Sequence, residues 1–71
     1  MATEVRNQLR KLRFEGGELT QQQLADLVGV NRQTILAIEA GHYAPSLELA
    51  FRIARAVDKG IEQVFSYGAP P

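Results

Sequence analysis

The 71-residue sequence contains no cysteine, which excludes a disulfide framework, a thiolate metal site and a thiol nucleophile, and fits a reducing compartment. It has no excess of charge of either sign, because eight Lys and Arg residues balance eight Asp and Glu residues. The overall charge therefore does not indicate a nucleic-acid or membrane partner, and electrostatic arguments must be local. No apolar run approaches the roughly 18 residues of a spanning helix, and no basic-then-apolar leader pattern follows Met1. We expect a cytoplasmic protein with no membrane partner.

What the sequence does contain is typical of one small globular domain. Hydrophobic residues make up 45% of the chain and charged residues 23%, which is close to average globular usage and far from a disordered composition. A chain of this length has room for one modest core. We expect a single domain over residues 1–67 and a flexible C-terminal tail over residues 68–71, which contains two prolines.

Glycine and proline residues divide the chain into five short segments whose apolar residues recur at helical spacing. Two-residue alternation of apolar and polar residues is absent, so the sequence predicts no β-strand. The predicted fold is all-α and compact, with five short helices joined by tight turns. These helices are expected over residues 3–15, 20–28, 32–40, 46–57 and 61–65.

Capping residues support these boundaries. Thr3 is the predicted N-cap of the first helix, and Thr20-Gln21-Gln22-Gln23 matches a capping box at the start of the second. Asn31 is a favourable N-cap for the third helix, and Gly41 follows that helix where a positive φ is needed. The fourth helix begins after Ser46 and carries a predicted apolar stripe of Leu47, Ala50, Ile53, Ala54 and Val57.

The most informative stretch contains the second and third helices. They are connected only by the short segment Val28-Gly29-Val30-Asn31. So short a connection favours two helices that cross steeply, the geometry of a helix-turn-helix. Ala25 is small where the two helices approach most closely, and the glycine permits a left-handed turn. Ile35 and Ile38 lie one turn apart and are predicted to be buried beneath the two helices.

These features resemble the small helix-turn-helix regulators of the Xre/phage repressor (Cro/C1-type) family. The resemblance runs from about Leu9 to Phe65. It implies a compact five-helix, lambda-repressor-like DNA-binding domain in which the third helix enters the major groove and the second lies across the DNA backbone. The matching motifs, in order, are Leu19-Thr20-Gln21, Leu24-Ala25, Val28-Gly29-Val30, Arg32-Gln33-Thr34-Ile35, Ile38-Glu39, Gly41 and Pro45-Ser46-Leu47.

The resemblance places the base-reading positions on the third helix. Arg32 is expected to pair with guanine O6 and N7, and Gln33 with adenine N6 and N7, because each side chain offers the matching hydrogen-bonding groups. Leu36 and Ala37, one turn further on, are predicted base contacts that can select a thymine methyl group. Relatives often carry a polar residue there, so readout by this chain is expected to depend more on DNA shape. As an alternative, Leu36 is a core residue on a rotated helix.

Contacts to the DNA backbone are expected from other positions. Helix N-termini present unpaired amides to phosphate, and the resemblance gives Gln21 either a backbone contact or a role in bracing a recognition residue. Relatives often have Lys or Arg after the third helix, where this chain has His42 and Tyr43, which predicts a weaker salt dependence. Arg10 and Lys11 fit a phosphate contact and a solvated helix face equally well. The predicted backbone-contacting residues are Thr20, Gln21, Asn31, His42, Tyr43 and Ser46.

Several other residues have structural interpretations. The resemblance implies that Arg13 pairs with Glu39 and so orients the third helix. His42 has no second His, Cys or serine-centred arrangement to complete a metal site or a triad. We therefore expect no enzyme activity, no cofactor, no metal and no small-molecule ligand. Phe65 and Tyr67 fit two interpretations equally, as core and edge residues or as part of a dimer face.

The leading hypothesis is a sequence-specific DNA-binding transcriptional regulator, a repressor, that binds double-stranded DNA as a homodimer on an inverted-repeat site. One small domain reads only a few base pairs, so two recognition helices one DNA turn apart, roughly 34 Å, increase specificity. The alternative is a protein-interaction module or antitoxin-type partner in which DNA binding is secondary. Zero net charge and the scarcity of cations after the third helix motivate that alternative.

Overall fold

The computed structural model describes residues 3–68, which form five helices and a two-stranded antiparallel sheet. The mainly helical class and the five helices agree with the sequence prediction, whereas the sheet does not. In chain order the elements are β1 (Val5–Asn7), α1 (Leu9–Glu15), α2 (Gln21–Val28), α3 (Arg32–Glu39), α4 (Leu47–Ala56), α5 (Ile61–Val64) and β2 (Phe65–Tyr67).

Local side-chain caps begin the three central helices, as predicted. At α2 the Thr20 hydroxyl accepts from the Gln23 amide at 3.0 Å, and the Gln23 side chain accepts from the Thr20 amide at 2.9 Å. Asn31 Oδ1 accepts from the amide of the third residue of α3 at 2.9 Å, and Ser46 Oγ caps α4 in the same way. Each cap satisfies an amide that the first helical turn leaves unpaired, so the helix starts are determined locally.

The predicted N-terminal helix is wrong over its first residues, because Val5–Asn7 form a strand and α1 begins at Leu9. This strand pairs antiparallel with β2, with Val5 opposite Tyr67 and Asn7 opposite Phe65. Thr3 does not cap α1; its hydroxyl accepts instead from the amide of Val5. Three residues carry too little periodicity to distinguish strand from helix, and the partner strand lies at the other end of the sequence.

The core lies between the helices, and the predicted stripe of α4 is correct at Ala50, Ile53, Ala54 and Val57, which are buried, and wrong at Leu47. Leu47 is 69% exposed, whereas Leu49 is buried. The two side chains project from α4 in nearly opposite directions around its axis, and α4 packs on α2 with the Leu49 side. Phe51 is also exposed, so it is not a core residue. The buried cluster consists of Leu9, Leu12, Leu24, Ala25, Val28, Ile35, Ile38, Leu49, Ile53, Ala54, Val57 and Val64.

The C-terminal segment enters the fold through β2. Gly68, the first residue of the predicted tail, donates its amide to the Glu4 carbonyl at 2.8 Å, and residues 69–71 lie outside the described residues. No helix within the described part of the chain is both long and apolar enough to cross a membrane.

Candidate nucleic-acid interface

A tight left-handed turn joins α2 and α3. Gly29 has φ 79°, a conformation that an L side chain disfavours, and its amide donates to the Ala25 carbonyl at 2.9 Å. The next amide, of Val30, donates to the same carbonyl at 3.0 Å. Ala25 itself is fully buried, so a larger side chain there would separate the two helices. The turn and the small contact residue together set the angle between α2 and α3.

The outward face of α3 carries the predicted base-contacting residues. Arg32 and Gln33 are exposed in the first turn, and within residues 3–68 neither side chain has a hydrogen bond or ion pair. Leu36 is 43% exposed, which excludes its alternative position in the core, and Ala37 is half-buried beside it. Ile35 and Ile38 are buried on the opposite side of the same helix. One face of α3 thus holds the helix on the domain, while the other is free for a ligand.

The predicted backbone-contacting residues lie at the starts of α2, α3 and α4 and in the loop after α3. The hydroxyls of Thr20 and Ser46 accept from helix amides, which fixes their oxygens in place and leaves each O–H able to donate. Asn31 uses its Oδ1 as a cap and keeps its amide nitrogen for an outside partner. His42 and Tyr43 are exposed in the loop that follows α3. The groups of this rim that can bind an anion are therefore backbone N–H groups, the Thr20 and Ser46 hydroxyls and the side chains of Asn31, His42 and Tyr43.

At its other end α3 is held by a buried ion pair. The Nε and Nη2 of Arg13 both donate to the carboxylate of Glu39, the latter at 3.0 Å, and both side chains are only 8% exposed. Arg13 Nη1 donates to the Leu19 carbonyl at 2.8 Å. Gln21 Nε2 donates to Glu39 Oε1 at 3.1 Å, so the first residue of α2 braces α3 directly. The structure thus contains the Arg13–Glu39 pair and adds Gln21 to it.

Sequence reasoning missed Asn7. Its Nδ2 donates to the Ile38 carbonyl at 2.8 Å, near the C-terminal end of α3. Its Oδ1 accepts from the amide of Leu9, where α1 begins. The bond to Leu9 is local, two residues along the chain, and is of the kind that Asn side chains commonly form just before a helix. The bond to Ile38 joins residues that are far apart in the sequence, so no local sequence pattern predicts it.

This arrangement is suited to binding a groove rather than to chemistry in a cleft. The exposed residues of α3 project outwards, and they include bidentate hydrogen-bonding side chains. Among the residues that the structure describes, no three His, Cys, Asp or Glu side chains form a group that could hold a metal ion. Two short helices joined by a tight turn, with the second exposed along one face, define a helix-turn-helix DNA-binding domain.

Comparison with known proteins gives the family. The sequence profile of the helix-turn-helix family HTH_3 matches residues 9–64, nearly the same range as the resemblance noted from the motifs. The chain belongs to this family, which comprises regulators of the Xre and Cro/C1 type. It is accordingly a DNA-binding transcriptional regulator and not an enzyme.

Its relatives are of similar length and come from archaea and bacteria. An uncharacterized HTH-type transcriptional regulator of Methanothermobacter thermautotrophicus is 55% identical over 62 residues, which cover 86% of this chain and 88% of that protein. The uncharacterized HTH-type transcriptional regulator YgzD of Bacillus subtilis is 44% identical over 61 residues, covering 86% of this chain and 91% of YgzD.

Solved structures share the fold. The restriction-modification controller protein C.AhdI from Aeromonas hydrophila has a TM-score of 0.70 and 34% identity, with 78% of each chain covered. The crystal structure of a putative DNA-binding protein from Bacteroides fragilis has a TM-score of 0.78 over 87% of this chain and 98% of that one. At 21% identity the second similarity concerns the fold alone.

Proposed function

We propose that this regulator is a repressor that inserts α3 into the DNA major groove and binds an inverted-repeat site as a homodimer. One observation carries the proposal: Arg32 and Gln33 are exposed at the start of α3 and have no side-chain partner within residues 3–68. A cation in the first turn of a helix opposes the helix dipole, so its local effect on folding is unfavourable. When an anionic ligand lies beside Arg32, the positive charge at this position becomes favourable.

Base readout is assigned to the outward face of α3. Arg32 contacts guanine O6 and N7, and Gln33 contacts adenine N6 and N7, in each case through two hydrogen bonds. Leu36 and Ala37 provide apolar contacts, which favour thymine through its methyl group. Because the apolar pair forms no hydrogen bonds, part of the specificity comes from the shape of the DNA.

Contacts to phosphate are assigned to the rim around α3. The free amides at the starts of α2 and α4, beside Thr20 and Ser46, face the DNA backbone, and Asn31, His42 and Tyr43 add side-chain donors. Since this rim has few formal cations, few counterions are released on binding. The affinity is therefore expected to fall less steeply with salt than for a cation-rich interface.

The homodimer is assigned to a face that includes α5 and β2. Tyr67 is 78% exposed on β2, and Ile61 and Phe65, which are partly buried, line an open groove beside it together with Val5. A large exposed aromatic residue beside an apolar groove is typical of a protein contact surface. A two-fold axis through this face gives each DNA half-site its own α3.

Selection from a random duplex library at moderate salt tests the reading helix. The wild-type protein is expected to enrich an inverted repeat, and the Arg32→Ala/Gln33→Ala variant is expected to lose it. Arg55→Ala, which removes an exposed arginine from α4, is the matched control and should retain the motif. No enrichment by a folded wild-type protein would contradict the proposal and favour the protein-interaction module, for which a co-purifying partner is the next observation.

Sedimentation tests the dimer face separately. Tyr67→Asp places a charge in the proposed interface and is expected to convert a dimer into a monomer, while circular dichroism shows an unchanged helix content. The same variant should keep its half-site preference and lose its preference for the full inverted repeat. A Tyr67→Asp protein that still sediments as the wild type does would place the dimer contact elsewhere.

A further inference from the structure

The segment that precedes α1 makes one hydrogen bond to the last turn of α3 and one to the turn that follows that helix. Thr3 donates its amide to the Gly41 carbonyl at 3.0 Å, and Asn7 donates its side-chain amide to the Ile38 carbonyl at 2.8 Å. The Ile38 carbonyl also accepts from the Gly41 amide at 3.0 Å, so Asn7 is a second donor to it, and donors from outside the helix stabilise its final turn. The N-terminal segment supplies such donors.

Both the oxygen and the nitrogen of the Asn7 carboxamide group form hydrogen bonds. Its Oδ1 accepts from the Leu9 amide at 3.0 Å, at the first turn of α1, while its Nδ2 holds Ile38. The backbone around Asn7 is fixed in turn, since Asn7 lies opposite Phe65 in the sheet and Gln8 donates its amide to the Val64 carbonyl at 3.0 Å. One side chain therefore connects the sheet, α1 and α3.

Because α3 is a single short helix, a movement of its C-terminal end at Ile38 also moves the side chains at its N-terminal end. The helix has 8 residues, so at roughly 1.5 Å per residue it is about 12 Å long. Arg32 lies about 9 Å along the helix from Ile38, so a tilt of roughly 10° at Ile38 displaces it by about 1.6 Å. Paired hydrogen bonds to a base edge tolerate only a few tenths of an ångström, so such a displacement breaks them.

We infer that Asn7 is a positioning residue for DNA readout: its bond to the Ile38 carbonyl fixes the tilt of α3 and thereby the register of Arg32 and Gln33 on the bases. The inference rests on the proposed function of α3. Arg13 and Gln21 hold the side chain of Glu39, whereas Asn7 holds the helix backbone one residue earlier. The two attachments together restrict rotation as well as translation of this end.

Two substitutions separate the positioning role of Asn7 from its capping role. Asn7→Asp keeps an acceptor for the Leu9 amide but replaces the donor to Ile38 with a second oxygen. Asn7→Ser keeps a capping hydroxyl, is uncharged, and is too short to reach Ile38. The matched control is Gln8→Ala, since the Gln8 side chain is exposed and has no hydrogen bond among the described residues.

The first readout is amide hydrogen exchange, which needs no DNA. In both Asn7 variants the amides of Ala40, Gly41 and His42, which close the last turn of α3, are expected to exchange roughly fivefold to tenfold faster, as for the loss of one hydrogen bond. The amides of Leu24 and Gly29 in α2 and its turn should keep their rates. Unchanged rates at the end of α3 in both variants would overturn the inference.

The second readout is base discrimination on the site that the wild-type protein selects. Both Asn7 variants are expected to lose roughly threefold to tenfold of their preference for the correct base pair at the Arg32 and Gln33 positions, with unchanged affinity for non-specific duplex. A purely structural role would instead lower both affinities together. If the wild-type protein selects no site, the proposed function fails, and hydrogen exchange alone decides the role of Asn7. If the wild-type protein selects a site and both Asn7 variants discriminate between base pairs as well as the wild type does, the inference fails.

Discussion

The two ends of α3 are held in different ways. At the N-terminal end one side chain, Asn31, caps the helix, and Arg32 and Gln33 point outwards without partners in the described part of the chain. At the C-terminal end Glu39 is bound by residues of α1 and α2, and the Ile38 carbonyl is bound by β1. The helix that we propose for DNA readout is thus fixed at the end opposite the proposed base contacts, and Arg32 and Gln33 have no competing bonds among the described residues.

The anchored end also accounts for most of the buried polar contacts around α3. Burial of a charged side chain is costly unless it is paired and hydrogen-bonded. Each charged group in the Arg13–Glu39 pair has such partners, and no buried side-chain nitrogen or oxygen within residues 3–68 lacks a hydrogen bond. Substitutions at the two ends should therefore differ in their effects on the free energy of unfolding.

The largest effect is expected from Arg13→Ala at the anchored end. The change leaves the Glu39 carboxylate buried without its charged partner, and we expect a loss of about 3 kcal/mol in the free energy of unfolding, measured by urea denaturation. The control is Lys11→Ala, which breaks an exposed pair of 3.9 Å with Glu15 and should cost less than about 0.5 kcal/mol. Equal losses for the two variants would mean that the buried pair does not anchor α3.

Gly41→Val is expected to have the next largest effect. Gly41 follows α3 with φ 78°, and a Cβ there would meet nothing within 4 Å, so the cost is conformational strain and not a clash. We expect a loss of about 1–2 kcal/mol in thermal or urea unfolding. Ala40→Val adds a similar side chain one residue earlier, at φ −78°, and should cost clearly less. A result with the two costs reversed would refute strain as the cause.

At the reading end, Asn31→Ala removes the cap of α3. The amide and hydroxyl of Thr34 both donate to Asn31 Oδ1, and the loss of this acceptor is expected to lower the free energy of unfolding by about 1 kcal/mol. Asn31→Ser should recover most of this loss because serine caps helices nearly as well. If Asn31→Ala destabilises the protein as much as Arg13→Ala, the contrast between the two ends is absent.

The smallest effect on stability is expected from Arg32→Ala, within about 0.5 kcal/mol, because the side chain is exposed and unpartnered. On the selected DNA site the same change should cost roughly 1–3 kcal/mol and relax specificity at one base position, as measured by titration of single-base variants. A uniform loss with Arg32→Ala would remove its base-reading role.

The helices at the centre of the chain were predictable because their signals are local. The capping residues Thr20, Asn31 and Ser46 lie within three residues of the amides they bind, and the glycine after each of α2 and α3 has the positive φ that its position requires. The strand pair was not predictable, because Val5 and Tyr67 are neighbours only once the helices have packed. The exposure of Leu47 and the burial of Leu49 likewise depend on how α4 packs in the folded protein.

The candidate site divides in the same way. Arg32, Gln33 and Leu36 were placed on the outward face from spacing and family resemblance, and all three are exposed. The bonds that hold the other end of α3 span large sequence separations, so only the Arg13–Glu39 pair, which the family motif implies, could be anticipated. Asn7 and its bond to Ile38 required the folded structure.

The antiparallel pairing of β1 with β2 has a consequence for folding. This contact closes a loop that contains nearly the whole chain, so it carries a greater loop-closure entropy than the turn between α2 and α3. A short pairing of this kind is expected to form late and to open early under mild denaturant, and its opening releases both ends of the chain in one event. Proteolytic cleavage near Glu4 and near Ser66 should therefore rise together, as a single local unfolding reaction.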